Sequence, residues 1–171
     1  MKYILLLLLT TSLLYSNEIN LDSFKAKFIQ TVTNDKGNKL VYKGTIATTT
    51  PQYMLWNYTY PAKKEIIVNN HRITVIEYDI EQVQIRNIHG EFDFFKILKA
   101  AKKVKENVYN AKFNEINYVL TLNSGKISSI SYLDELENSI LITFSDQKQN
   151  IKIDLSIFTP IIPLDFDIIR D

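Results

Sequence analysis

From residue 24 to residue 33 (FKAKFIQTVT) apolar and polar side chains alternate, placing Phe24, Ala26, Phe28, Gln30 and Val32 on one face of an extended chain. The NDKGN that follows, residues 34–38, has the composition of a hairpin turn, and residues 39–48 return as a second strand. Residues 52–59 read as the next strand, bounded by Pro51 and Pro61, because a proline cannot donate to a ladder. The habit continues through residues 65–68, 73–78 and 81–88, then 107–113, 116–122, 126–132, 139–145 and 150–157, with NSG at 123–125 as the clearest turn. About eleven strands at such close spacing predict antiparallel up-and-down pairing in a strongly curved sheet.

One segment breaks the rhythm. In FDFFKILKAAKKVK, residues 92–105, Phe94, Leu98, Ala101 and Lys105 fall at helical spacing, with Phe95, Ile97 and Val104 widening the apolar side and Lys96, Lys99, Lys102 and Lys103 opposite. Asp93 is placed to cap this amphipathic helix. A lone amphipathic helix in a β-meander must lay its apolar side on the sheet, which makes it a cover for one mouth or face. The tail, residues 158–171 (FTPIIPLDFDIIRD), reads as an extended segment docked on the body.

The stretch QYMLWNYTYP, residues 52–61, is richer in large side chains than a half-buried strand needs. Met54, Trp56 and Tyr58 share one face; Tyr53, Leu55, Asn57 and Thr59 share the other. Aromatics at strand spacing ordinarily make core. A curved sheet of about eleven strands closed by a helix is, however, wider than side chains readily fill, so the same face suits the wall of a cavity. The pattern leaves both readings open, and leaves the outward Tyr53 and Leu55 as either surface packing or a docking patch for a membrane partner.

The first sixteen residues, MKYILLLLLTTSLLYS, form a single lysine followed by a short apolar run, the pattern of a secretory signal peptide cleaved after Ser16. An uncleaved N-terminal anchor is the alternative. Residues 17–171 are then one domain. With no cysteine, neither disulfides nor thiolate chemistry are available. Twenty basic against nineteen acidic residues leave no net field for nucleic acid or an anionic membrane surface. The two histidines, His71 and His89, stand beside separate turns, and the acidic run Asp134, Glu135 and Glu137 reads as a solvated loop. No catalytic motif or metal-ligand spacing occurs, so neither an enzyme nor a metal site is expected.

FKAKFIQTVTNDKGNKLVYKGTI, PQYMLWNYTYP, IIVNN and YDIEQVQ together resemble the LolA family of periplasmic outer-membrane lipoprotein carriers. Phe28, Gln30, Gly44, Pro51, Trp56, Tyr58, Pro61, Tyr78, Asp79 and Gln82 stand where that family's pattern places them. The resemblance implies an open, incomplete antiparallel β-barrel of about eleven strands with a helical lid over its concave apolar face. It implies no cofactor and no covalent chemistry. Its partners would be acylated lipoproteins, an inner-membrane ABC-type transporter that releases them, and an outer-membrane receptor; the carrier itself would be a periplasmic monomer. On matching positions the lipid-binding wall is expected at Met54, Trp56, Tyr58, Phe24, Phe28, Ile46, Val68 and Val75, and the lid's apolar side at Phe94, Phe95, Ile97 and Leu98. Two departures stand out: Thr50 occupies the position where the family usually has an Arg that holds the lid shut, and only a short NEINLDS segment is left for the family's first helix. Alternative readings are a small outer-membrane β-barrel and an exported binding module for another hydrophobic ligand.

Overall fold

The computed structural model describes residues 19–87 and 93–170. The expected signal peptide and part of the segment before the helix lie outside the described residues. Alternating patterns become β1 (Ser23–Thr33), β2 (Lys39–Thr49), β3 (Tyr53–Tyr60), β4 (Lys64–Asn69), β5 (Arg72–Glu77) and β6 (Gln82–Asn87). After a short helix, α1 (Phe94–Ala100), come β7 (Lys102–Lys105), β8 (Val108–Phe113), β9 (Ile116–Asn123), β10 (Lys126–Leu133), β11 (Ser139–Gln149) and β12 (Asp167–Arg170). All twelve make one sheet in the order β12-β6-β5-β4-β3-β2-β1-β11-β10-β9-β8-β7. The sheet is open, with β12 and β7 as its edges, and is not closed into a barrel.

Two differences from the sequence reading have physical causes. Residues 150–157 are not a strand: β11 stays paired with β1 only as far as Gln149 opposite Phe24, and Asn150 turns the chain away with φ of 53°. Asp154 then accepts a hydrogen bond from the Ser156 N–H, fixing a 3-10 turn at Leu155–Phe158. The helix also ends early. Ala101 adopts an extended conformation, and Lys102–Lys105 pairs with β8 as an edge strand, satisfying backbone groups that would otherwise be bare. Asp93 caps α1 as expected, accepting from the Lys96 N–H at 3.0 Å.

Residues directly opposite one another across a ladder share a face. Phe28 lies opposite Gly44 and Phe144, and Trp56 opposite Ile46 and Ile66. The concave face therefore carries Phe24, Phe28, Ile46, Met54, Trp56, Val68, Leu120, Ile130 and Ile142, which with α1 form the main core. The convex side of β2 to β6 has a second core, in which Ala47, Ile67, Ile76 and Val83 are covered by Ile153 and Phe158 of the tail. That tail is docked on the body, as expected, and then adds β12 to the sheet, parallel to β6. It also packs against the outward pair: Tyr53 lies on the Phe158 ring at 5.6 Å and Leu55 joins the same cluster, each half-buried.

Gly44 shows how the concave face is shaped. A Cβ there would collide with the Asn57 backbone carbonyl across the β2–β3 bulge and come within 3.0 Å of the Phe28 ring. Only glycine leaves room on β2 for Phe28 to meet Trp56 and Tyr58 of β3 edge to face.

Candidate ligand-binding site

The floor of the concavity is built from β3. Alternation turns Met54, Trp56 and Tyr58 inward, and the short turn into β4 sets Ile66 and Val68 beside them, with Ile73 next on β5. Trp56 meets Phe28 edge to face at 4.7 Å and lies parallel to Tyr58 at 6.2 Å. Its one polar group, the indole N–H, points to the Met54 sulfur at 2.9 Å. The donor is thus spent on a soft, weak acceptor and the wall presents carbon and sulfur.

These side chains form a half-open chamber of about 240 Å³, lined by Gln30, Met54, Trp56, Tyr58, Ile66, Val68, Ile73, Arg86, Tyr132 and Ile142. Beyond it opens an outer basin of about 450 Å³, sharing Gln30, Tyr58 and Tyr132 with the chamber and adding Val32, Tyr42, Pro61, Ala62, Lys64, Glu77, Asp134 and Ile140. The Tyr58 hydroxyl donates to Gln30 Oε1 at 3.1 Å, so the polar pair sits at the junction of the two spaces. Lys64 and Glu77 pair at 3.4 Å on the outer wall. Polarity is graded: largely apolar inside apart from Arg86 on one wall, neutral hydroxyl and amide at the neck, charge at the mouth. That gradient suits a ligand with an alkyl part and a polar head.

Electrostatics follow the same gradient. Burial pushes the Tyr58 hydroxyl well above the usual phenol range, with Tyr132 and Tyr42 adding to it. Burial likewise pushes Tyr132 up to about 12, helped by Tyr118 and Asp134. Both are therefore neutral hydroxyls at any physiological pH. Asp134 is opposed by desolvation, yet N–H donors of Asn138 and Leu136 hold it below the usual carboxylate range, keeping it charged at the mouth.

The expected wall residues divide into three groups. Met54, Trp56, Tyr58 and Val68 line the chamber. Phe24, Phe28 and Ile46 are fully buried and back the wall without lining it. Val75 shares a register row with Trp56 and Ile66 but is half-exposed and stands off the lining. Ile66, Ile73, Arg86, Tyr132 and Ile142 are not singled out from sequence, and Gln30 is placed on the Phe28 face and in the family pattern but not in the wall. Ile66 and Ile73 follow from register once the β4–β5 turn is placed. Tyr132 and Ile142 do not, because β10 and β11 reach the chamber only through the pairing of β11 with β1, between residues more than a hundred positions apart.

The expected lid residues are core. Phe94, Phe95, Ile97 and Leu98 are buried, and Phe94 stacks on Phe24 at 5.5 Å. Among the described residues, α1 closes the end of the concavity remote from the mouth and contributes nothing to the chamber's lining. Thr50 lies at that end too, sharing with Phe95, Leu98 and Lys99 an open hollow of about 600 Å³. Among the described residues no cluster of His, Asp and Glu is arranged to hold a metal ion.

The sequence matches the family described as outer membrane lipoprotein carrier protein LolA over residues 19–160. It is 34% identical over 157 residues to an outer-membrane lipoprotein carrier protein of Campylobacter jejuni, covering 92% of each chain. It is 37% identical over 139 residues to the protein of the same description from Helicobacter pylori strain J99, covering 81% of this chain and 74% of the relative. Among solved structures, a LolA superfamily protein from Nitrosomonas europaea superposes with a TM-score of 0.51 at 12% identity, covering 85% of this chain and 94% of the other, a likeness of fold alone.

Proposed function

Because the chain belongs to the LolA family of outer membrane lipoprotein carrier proteins, we propose that it is a periplasmic carrier that shields the acyl chains of lipoproteins released from the inner membrane and delivers them toward the outer membrane. The observation that carries this reading is the chamber floored by Met54, Trp56 and Tyr58, largely apolar within apart from Arg86 and opening through a polar neck to a charged mouth. Acyl chains would lie against the chamber wall while the lipid's polar linkage and the attached peptide stay at the mouth. The donor would be an ABC-type lipoprotein-releasing transporter, the acceptor an outer-membrane receptor, and the carrier a monomer without cofactor or covalent chemistry.

The energetics require a loose fit. Burying about fifteen methylenes of one chain at ~0.8 kcal/mol each gives roughly 12 kcal/mol gross, too much for ready release if all were realised. The chamber is smaller than a whole chain. Longer cargo would therefore extend into the outer basin or push against α1, and displacing Phe94, Phe95, Ile97 and Leu98 from Phe24 would offset part of the gain. In this sense α1 acts as a yielding lid at the far end.

The deciding experiment adds the purified protein to spheroplasts making lipoproteins. Release of newly made lipoproteins into the supernatant supports the proposal; lipoproteins that stay with the membrane refute it. Native mass spectrometry of the purified protein separates this from a module for another hydrophobic ligand by identifying what it holds. A membrane-spanning barrel is set aside, since an open sheet leaves two backbone edges unpaired and hydrocarbon does not tolerate them.

A further inference from the structure

The turns at the two ends of the sheet differ in chemistry. At the end remote from the mouth, the turns at residues 50–52, 70–71 and 124–125 carry no exposed large apolar side chain, although the tail passing beside them exposes Leu155 and Ile161. At the mouth, nearly every turn does. Leu133 and Leu136 flank and tip the β10–β11 turn at 60% and 82% exposure, Leu40 projects beside the β1–β2 turn, Tyr60 beside the β3–β4 turn, Ile80 in the β5–β6 turn and Leu164 just ahead of β12. Strand order arranges these tips as a rim: β10–β11 adjoins β1–β2, then β3–β4, then β5–β6. The rim surrounds the outer basin, whose wall includes Pro61, Ala62 and Asp134 from the same turns.

We propose that this rim of single apolar tips seats the mouth on a lipid bilayer, so that acyl chains pass between membrane and chamber without crossing water. Isolated projecting side chains on separate turns suit insertion between headgroups, with Tyr60 at the interface, better than a flat contiguous protein contact. Charge selects the kind of bilayer. The same turns and their flanks carry Asp35, Asp79, Glu81, Asp134, Glu135 and Glu137 against Lys36, Lys39, Lys63 and Lys64, whereas Lys96, Lys99, Lys102, Lys103 and Lys105 crowd the far end on α1 and β7. The mouth is thus mixed in charge with a small acidic excess, while the dense lysine patch lies at the other end, so an anionic surface would attract the wrong one. The surface that fits the mouth has zwitterionic headgroups.

The inference rests on the carrier reading, and the experiment keeps the two apart. The purified protein is floated with vesicles of phosphatidylcholine and phosphatidylethanolamine, with and without salt, alongside the combined variant Leu40→Ser, Leu133→Ser, Leu136→Ser. The expected result is salt-insensitive flotation that weakens about tenfold or more in the variant, while fatty-acid binding in solution is unchanged because none of the three lines the chamber. Absence of flotation by the unaltered protein, as expected of a mouth that meets only a protein partner, overturns the inference. So does equal flotation by the variant, and so does salt-sensitive flotation confined to phosphatidylglycerol vesicles and abolished by Lys102→Gln, Lys103→Gln, Lys105→Gln. Failure of the carrier reading would show separately, as no fatty-acid binding whatever the vesicles do.

Discussion

Ile66→Asp puts a carboxylate on the wall of the chamber, opposite Trp56, at a position that is only half-buried in the empty protein. The chamber of about 240 Å³ holds roughly eight water-sized units at ~30 Å³ each, and hence a run of about eight methylenes. At ~0.8 kcal/mol per methylene their burial is worth roughly 6 kcal/mol gross. The carboxylate changes this because it either loses its water, at a cost of several kcal/mol, or keeps two or three waters in the chamber. The second route is cheaper. It displaces about three methylenes and forfeits about 2 kcal/mol, which is roughly a thirtyfold weaker Kd. Folding should lose less, about 1 kcal/mol, since the new charge faces a solvated space when no ligand is present. Titration with palmitate, followed by calorimetry and by the emission of Trp56, the chain's single tryptophan, measures the effect. Val119→Asp, on the outward face of β9, is the control and should leave binding unchanged. A folded Ile66→Asp protein that binds palmitate within twofold of the unaltered one would refute the assignment of the chamber as the acyl site.

Gly44→Ala should destabilise by about 1–3 kcal/mol in urea unfolding, because its Cβ meets a backbone carbonyl that has no room to move. Phe158→Ala should cost about 3–5 kcal/mol and loosen the tail, seen as faster hydrogen exchange in β12, since Phe158 is fully buried over the convex core. Phe94→Ala should cost a similar amount, about 3–5 kcal/mol by thermal melting, as expected of core stacked on Phe24. Stability should also fall at alkaline pH. The folded state keeps the Tyr58 and Tyr132 protons beyond the point where the unfolded chain releases them, so the stabilisation is whole below about pH 10 and drains away as pH rises through 12. Denaturation across that window, compared with Tyr58→Phe, Tyr132→Phe, should show a shallower decline in the double variant.

Much of this protein can be read along the chain because strand alternation and turn chemistry are local. The alternation of residues 24–33 and 52–59 assigns Phe28, Met54, Trp56 and Tyr58 to inward faces before any pairing is known, and the family resemblance adds the expectation that such a face binds lipid. The helix, too, was legible in its Asp93 cap and its Phe94, Phe95, Ile97, Leu98 side. Its length was not. Lys102–Lys105 carries a helix-compatible pattern, and the chain left helix there because the edge of β8 offered hydrogen bonds that only a strand could take. Nor could sequence tell cavity wall from backing: Phe28 and Trp56 obey the same alternation, and the difference arises because the sheet's curvature stacks one behind the other. The far wall, Tyr132 and Ile142, depends on β11 closing against β1, and the convex core depends on the tail crossing β3 and β4 to bury Tyr53 and Leu55. The sequence by itself determined which side chains face inward, since that follows from a two-residue period. Only the tertiary structure decided where the inward faces fail to meet, because a chamber is the space left between strands that are remote in the chain.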